Sequence, residues 1–324
     1  MSNRYIERRK HGKGFRYTLQ GKSVDKATLS RVASLAVPPA WTDVQISLSD
    51  KSKVQATGFD ANGRKQYIYS AAHTAKQEAA KFDRITSFAD ELPKLRKQVK
   101  KDLKRWRFDK RKVTAAAVSL MDQEYFRVGN NSYARSNKTY GLTTLRSKHL
   151  TVKGDKAIFD FVGKSGQEHH KVVSDEQIAS IVKKLDDMPG YELFRYYDKK
   201  GKLHNLTSAD VNEYIKSIMG EDYSAKDFRT WGGTLLAAVE LAKEARPDTK
   251  AARKKAMTEC VKRVAKKLGN TPAIAKSSYI DPRIFKAYES TDAISEVYDT
   301  VKAMRPKRYI SNDERLVTEL IRSK

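Results

Sequence analysis

Apolar and polar positions alternate in short runs at the start of the chain. GFRYTLQGKSV reads as a short hairpin and TDVQISLS as a strand. VQATGFD and RKQYIYS read as two strands joined through ANG, where Asn62-Gly63 is a turn signal. Between them DKATLSRVASLA has helical periodicity, with Asp25 placed to cap it, and VPPAW stops it. The pattern changes after residue 72. HTAKQEAAKFDRITSFADELPKLRKQVKKDLKRW predicts helix, with an interruption near Pro93, and KVTAAAVSLMDQEYF predicts a second helix. From about Ser132 to Val173 strand texture returns, in GLTTLRSKHLTVKG, AIFDFVGKSG and EHHKVVS. Ser174, with Gln177 as capping-box partner, is expected to open a region that is nearly all helical. The expected fold class is α+β. A small β-rich N-terminal domain (1–72) precedes a mostly α-helical domain with a small antiparallel sheet (73–290) and a C-terminal helical extension (291–324).

Composition points to a partner. The 324 residues carry 65 Lys+Arg against 39 Asp+Glu, a net charge of +26. A charge of this size along a whole chain suggests a polyanion, with nucleic acid first and a membrane surface second. The run KLRKQVKKDLKRWRFDKRK reads either as a DNA-facing surface or as a solvated helix face. No stretch offers the roughly 18 apolar residues of a spanning helix. MSNRYIERRKHGKG lacks the apolar core of an export signal, so a cytoplasmic location is expected, on the nucleoid if the source is bacterial. The single cysteine, Cys260, reads as a small core residue of a helix. There is no cysteine–histidine cluster of ligand spacing, and His169 and His170 would point to opposite faces of a strand, so no metal is expected.

The stretch FVGKSGQEHH contains Gly-Lys-Ser, the tail of a nucleotide-binding P-loop. A P-loop needs a further glycine five places before Gly163, and that place holds Ile158. No nucleotide cofactor is expected, and Lys164 is left at a hairpin tip without a role.

Four stretches supply one when read together: FRVGNNSYARSNKTYGLTTLRSKHL, FVGKSG, KDFRTWGG and LGNTPAIAKSSYIDP. In order and content they resemble the catalytic domain of type IB DNA topoisomerases, in the small poxvirus-type and bacterial branch. VPPAWTDVQIS and ATGFDANGRKQYIYS resemble the N-terminal domain of the same family. The resemblance runs from about residue 30 to 285. It implies cleavage of one DNA strand by a tyrosine through a 3′-phosphotyrosyl intermediate, strand rotation and religation, with no cofactor, by a monomer clamping duplex DNA between two domains.

By resemblance, Arg127 and Arg229 are the arginines that grip the scissile phosphate, Lys164 is the general acid and Tyr279 the nucleophile. Such chemistry needs fixed cationic and amide donors for the charge on the non-bridging oxygens, and arginine's planar fork suits them. The leaving 5′-oxygen needs a proton, and a lysine beside arginines suits that task because like charges ease its deprotonation. The remaining family position is most often histidine and here is Asn270, whose amide can donate to a phosphate oxygen but cannot deliver a proton. Tyr133 and Lys226 match positions that touch DNA phosphates, Gln66 and Tyr67 match residues that reach the major groove, and Tyr69 shares a strand face with Tyr67.

Each residue also has a plainer reading. Tyr279 could be a packing residue and Arg127 and Lys164 surface charges. Arg229 could pair with Asp227 or Asp222 on a helix beginning near Ala225, Asn270 could belong to a helix C-cap after Gly269, and Gln66 and Tyr67 could be ordinary hairpin residues. Two other functions compete. A tyrosine recombinase uses the same covalent chemistry, but its second arginine usually sits in H-x-x-R, and the residue three before Arg229 is Lys226. A non-catalytic basic DNA-binding protein would account for the charge alone.

Overall fold

Ile6, Ile46, Ala56 and Ile68 stand opposite one another across neighbouring strands and organise the first unit of the fold. In the computed structural model, residues 5–243, 246–290 and 293–322 are described, the side chains of Tyr133 and Ala293 excepted. The first unit, Met1–Asp83, is built on strands β1 (Tyr5–His11), β2 (Gly14–Leu19) and β3 (Lys22–Ser23), helix α1 (Lys26–Ser34), and strands β4 (Thr42–Ser47), β5 (Val54–Phe59) and β6 (Lys65–Tyr69). They form one antiparallel sheet in the order β3-β2-β1-β4-β5-β6. Period-two alternation puts the four apolar residues on one face, and α1 adds Val32 to that small core. Asp25 caps α1 as expected, accepting from the Thr28 N–H at 2.9 Å. Strand β1 was not expected, because YIERRKH hides Ile6 and the buried Arg8 among charges. Arg8 donates to the carbonyls of Val37, Pro38 and Trp41, and so holds the VPPAW turn.

Helix α2 (Ala71–Asp83) closes the first unit, and the expected domain boundary at residue 72 falls within its first turn. The second unit, Arg84–Lys324, opens with α3 (Ile85–Leu103) and α4 (Lys110–Glu124). The break expected at Pro93 is instead at Arg84. Pro93 lies inside α3, where the burial of Phe88, Leu92 and Leu95 offsets the lost backbone bond. Helix α5 (Asn131–Asn137) and two single turns occupy the start of the stretch read as strands. A three-stranded antiparallel sheet follows as expected: β7 (Leu150–Lys153), β8 (Lys156–Val162) and β9 (Glu168–Ser174). Helix α6 (Glu176–Asp186) is capped by Asp175, not Ser174, which is the last residue of β9. A short hairpin, β10 (Arg195–Tyr197) with β11 (Leu203–Asn205), interrupts the helical half. The helices are then α7 (Ser208–Met219), α8 (Asp227–Ala242), α9 (Lys250–Leu268), α10 (Pro272–Ser278), α11 (Pro282–Ser290), α12 (Ala293–Lys302) and α13 (Asn312–Arg322).

Helix α8 is the axis of this unit, buried at every position from Phe228 to Thr234. The described residues of the expected C-terminal extension are part of the same core: Leu316, Val317, Leu320 and Ile321 of α13 are buried in it, and Trp231 of α8 donates to Glu314. No described helix is long and apolar enough to cross a membrane.

Candidate active site

Arg127, Lys164, Lys226, Arg229, Asn270 and Tyr279 line one cavity of about 420 Å³ in the second unit. A larger cavity of about 800 Å³, lined by Arg107, Phe108, Tyr196 and Tyr197 among others, contains none of them. Chemistry, not size, selects the site.

Arg127 follows α4, which ends because Tyr125 turns into the left-handed region at φ 54°. Its carbonyl accepts from Leu142 N–H, which fixes the extended segment in place. One guanidinium nitrogen, Nη2, donates to the Gly269 carbonyl at 3.0 Å and to Asn270 Oδ1. Arg229 lies in the first turn of α8 and is 3% exposed. It does not pair with Asp227, whose carboxylate accepts from Ser224. Arg229 points inward, donating to the Tyr125 carbonyl at 2.7 Å and the Leu268 carbonyl at 2.8 Å. Both arginines are thus held by main-chain oxygens at the ends of α4 and α9, where the helix dipoles are negative. No carboxylate among the described residues bonds to either. Burial, and then the charge of Arg229, lower Arg127 to about 10, so it remains a cation at neutral pH. Burial lowers Arg229 too.

Asn270 follows Gly269, which ends α9 at φ 60°. A side chain at Gly269 would also meet His169, its Cβ falling 2.0 Å from the imidazole Cε1. Gly269 closes the helix, as the cap reading expects, and Asn270 turns its amide oxygen to Arg127 at the cavity. This leaves Asn270 Nδ2 as a buried donor, and neither it nor Arg229 Nε has a partner among the described residues.

Tyr279 is the residue at which α10 stops. That helix is set by Thr271 as N-cap and Pro272 in its first turn. The Tyr279 carbonyl accepts from Thr234 Oγ1, and a Cβ on Gly233 would lie 2.5 Å from that carbonyl oxygen. Gly233 in TWGG thus lets the tyrosine backbone seat directly on α8. The Arg229 guanidinium lies over the Tyr279 ring, 4.9 Å from its centre. Burial pushes the phenol up, but the charges of Arg229, Arg127 and Lys226 outweigh it and hold the phenol below the ordinary tyrosine value.

Lys164 opens the turn between β8 and β9, where Ser165 and Gly166 both have positive φ, and it is exposed. Lys226 is the exposed N-cap of α8. The side chain of Tyr133 lies outside the described residues. In the first unit, Gln66 sits on the Ile68 face of β6 and donates to Asp60 at 2.9 Å. Tyr67 and Tyr69 lie exposed on the other face, rings 6.1 Å apart and nearly parallel. Sequence reasoning missed Thr234 and Gly233 as supports of Tyr279, although the paired glycines inside a predicted helix were the available signal.

Comparison with known proteins identifies the family. Residues 69–305 match the family described as eukaryotic DNA topoisomerase I, catalytic core, and residues 14–60 match that described as bacterial DNA topoisomerase IB, N-terminal domain. DNA topoisomerase 1B of Acanthamoeba polyphaga mimivirus is 31% identical over 319 residues, covering 93% of this chain and 95% of the relative. DNA topoisomerase 1B of Vaccinia virus (strain Copenhagen) is 26% identical over 247 residues, 75% of each chain. DNA topoisomerase 1 of Schizosaccharomyces pombe is 28% identical over 187 residues, 56% of this chain and 22% of that one. Over both of its units, the chain belongs to the type IB DNA topoisomerases.

Proposed function

We propose that the protein relaxes supercoiled duplex DNA without ATP or a metal ion, by cleaving one strand at the cavity of the second unit, letting it rotate and resealing it. The observation that carries this reading is the buried guanidinium of Arg229 beside the half-buried one of Arg127, with no carboxylate among the described residues bonded to either. Buried cations are ordinarily paired, and an unmatched pair beside the spare donors Asn270 Nδ2 and Arg229 Nε suits a bound phosphate diester.

In this mechanism the Tyr279 oxygen attacks phosphorus, the P–O5′ bond breaks, and a 3′-phosphotyrosyl ester forms. The proton lost by the phenol passes to solvent or a nearby base, and Lys164 supplies one to the leaving 5′-oxygen. Arg127, Arg229 and the Asn270 amide stabilise the charge that builds on the non-bridging oxygens. One phosphoester replaces another, so bond energy is conserved and the torsional strain of the supercoil drives rotation. Religation is the reverse attack by the 5′-hydroxyl. Tyr67, Tyr69, Tyr133 and Lys226 contact the duplex, Gln66 reaches it if it gives up Asp60, and a single chain engages DNA with both units. The +26 charge supports tight and strongly salt-dependent binding.

A plasmid relaxation assay in EDTA without nucleotide, run beside Tyr279→Phe, tests the reading. Relaxation by the wild type alone is expected, with a denaturation-resistant protein–DNA adduct that the variant does not form. Joining of paired sites with little relaxation would indicate a recombinase, and a mobility shift without relaxation would indicate a passive binder.

A further inference from the structure

Two residues of β9 that this mechanism does not use stand where its catalytic segments meet. Lys171 is 4% exposed. Its Nζ donates to the main-chain oxygen of Glu124 at 2.5 Å and lies 3.5 Å from that of Lys267. Glu124 ends α4 just before Arg127, and Lys267 precedes Asn270 at the end of α9. One ammonium group therefore ties together the two helix ends whose following carbonyls, those of Tyr125 and Leu268, hold Arg229. On the same strand face, His169 stacks on Phe161 with ring centres 4.8 Å apart. Its imidazole fills the space between Gly269 and Gly163, the residues immediately before Asn270 and Lys164; a Cβ on either would fall within 2.6 Å of the ring. Burial, and then the charges of Lys171, Arg127 and Arg229, hold His169 down to about 4, so at neutral pH it is an uncharged wedge.

Stability alone does not account for a lysine here. A buried ammonium near the buried guanidinium of Arg229 and the half-buried one of Arg127 is costly, and a well-packed apolar side chain in such a place is often neutral or stabilising. Among the described residues the carboxylate facing it is that of Glu124, 3.8 Å away and shared with Lys267 at 2.8 Å. What an apolar side chain would lose is the link between the carbonyls of α4 and α9.

We propose that Lys171 is a positioning residue for the transesterification: by bridging the ends of α4 and α9 it keeps Arg127, Arg229 and Asn270 around one phosphate, while the His169 ring fixes the Lys164 turn against the same junction. The proposal rests on the reading of the cavity as a phosphodiester site. It accounts for two helix ends, distant in sequence, sharing one buried donor that never reaches the cavity lining.

The test is Lys171→Met in the full-length protein. Single-turnover cleavage should slow by on the order of tenfold to 10²-fold, as expected of a displaced catalytic group, while duplex affinity stays within about twofold and the thermal midpoint is unchanged or raised. A pH profile separates positioning from packing. Burial, with the charges of Lys267, Arg229 and Arg127 and against that of Glu124, lowers Lys171 to about 8. As pH rises through that value the wild type keeps only a neutral, weaker donor, so the ratio of wild-type to variant rate should narrow. Comparing ratios cancels the groups common to both proteins. Lys171→Gln, which keeps one donor, should recover part of the rate and serves in place of the methionine variant should that fail to fold. An unchanged cleavage rate, a rate ratio flat with pH, or a loss that tracks a lowered thermal midpoint would overturn the proposal. A wild type that forms no covalent adduct would instead overturn the phosphodiester reading, and the proposal with it.

Discussion

The guanidinium of Arg229 lies 4.9 Å from the centre of the Tyr279 ring, and the same group grips the ends of α4 and α9 through Tyr125 and Leu268. One side chain thus sets both the position of the phenol and its acidity. The sign of its effect on pH dependence follows. Burial alone would raise the phenol, and Arg229 is the largest of the charges that lower it. Replacing Arg229 by glutamine should raise the phenol again, so the rising limb of cleavage rate against pH should move to higher pH. The maximal rate should also fall by about 10²–10³, the usual cost of losing one oxyanion donor. Single-turnover cleavage measured across pH checks both, and an unmoved limb would separate Arg229 from the nucleophile.

Gly233→Ala tests the seat of Tyr279 on α8. In an exposed helix alanine is favoured over glycine by about 1 kcal/mol. Here the added Cβ would lie 2.5 Å from the Tyr279 carbonyl oxygen and 3.0 Å from its Cβ, and a backbone atom cannot swing aside. The expected outcome is a lower thermal midpoint and slower cleavage, the opposite of what propensity gives. A more stable, fully active variant would show that α10 moves without cost.

How far the sequence carried the fold depended on whether local chemistry matched tertiary burial. Strands β4, β5 and β6 were legible because Val44, Ile46, Ala56 and Ile68 alternate with polar neighbours. Strand β1 was not, because its buried Arg8 reads as surface charge until the carbonyls of Val37, Pro38 and Trp41 surround it. Pro93 read as a break because sequence shows the missing N–H and not the apolar face that keeps α3 whole. The cavity residues were legible only as members of motifs in a fixed order, since no single arginine among 65 basic residues announces that it is buried. Lys171 belonged to no such motif. Its burial arises from the meeting of β9 with the ends of α4 and α9, which no local pattern encodes. Gln66 and Tyr67 were read as one contact pair, yet strand alternation sends them to opposite faces, and only Tyr67 is free of a carboxylate.

The C-terminal helix should matter to stability through one buried carboxylate. Glu314 accepts from Arg96 at 2.6 and 2.8 Å and from Trp231, two residues beyond Arg229. Burial raises Glu314, but the Arg96 hydrogen bond and charge lower it more, so it lies below the ordinary glutamate value. A depressed carboxylate contributes stability above its unfolded value, about 4.3, and that contribution is lost as pH falls through the folded value. Glu314→Gln should therefore cost about 3 kcal/mol at neutral pH, the lower end for a broken buried pair because Arg96 keeps Asp122. The gap between variant and wild type should narrow below about pH 4. Urea unfolding at neutral and acid pH measures both, and a gap constant with pH would refute the charge argument.

Asn270 offers a contrast between removing a donor and adding a charge. Asn270→Ala removes the spare Nδ2 donor and should slow cleavage by about 10²–10³. Asn270→His restores a donor and should recover much of the rate. Asn270→Asp keeps the acceptor that Arg127 uses, loses the donor and sets a carboxylate where the phosphate charge must develop. It should be slower than Asn270→Ala although it is the closer match in shape. Aspartate equal to wild type would mean that Asn270 serves only to cap α9 and hold Arg127.

The role of Lys164 can be isolated by changing the substrate atom it serves. Lys164 opens an exposed turn at the cavity edge, while Arg229 is buried within it. If Lys164 is the general acid, its work is confined to the leaving 5′-oxygen. Replacing that bridging oxygen by sulfur makes a leaving group whose conjugate acid, if it resembles a cysteine thiol, has a pKa of about 8.5. Such a group departs as the thiolate and needs no proton. Lys164→Ala should therefore be strongly impaired on ordinary DNA and largely restored on 5′-bridging phosphorothiolate DNA. Arg229→Ala should not be restored to the same degree, because its expected partner is a non-bridging oxygen that the sulfur leaves untouched, and because its loss also frees the Tyr279 ring. A lysine acting only as a positive charge predicts the same behaviour for both variants. Single-turnover cleavage of both substrates by both variants separates the cases. Without selective restoration of Lys164→Ala, Lys164 is a phosphate contact, and the proton reaches the 5′-oxygen from Arg127 or from water.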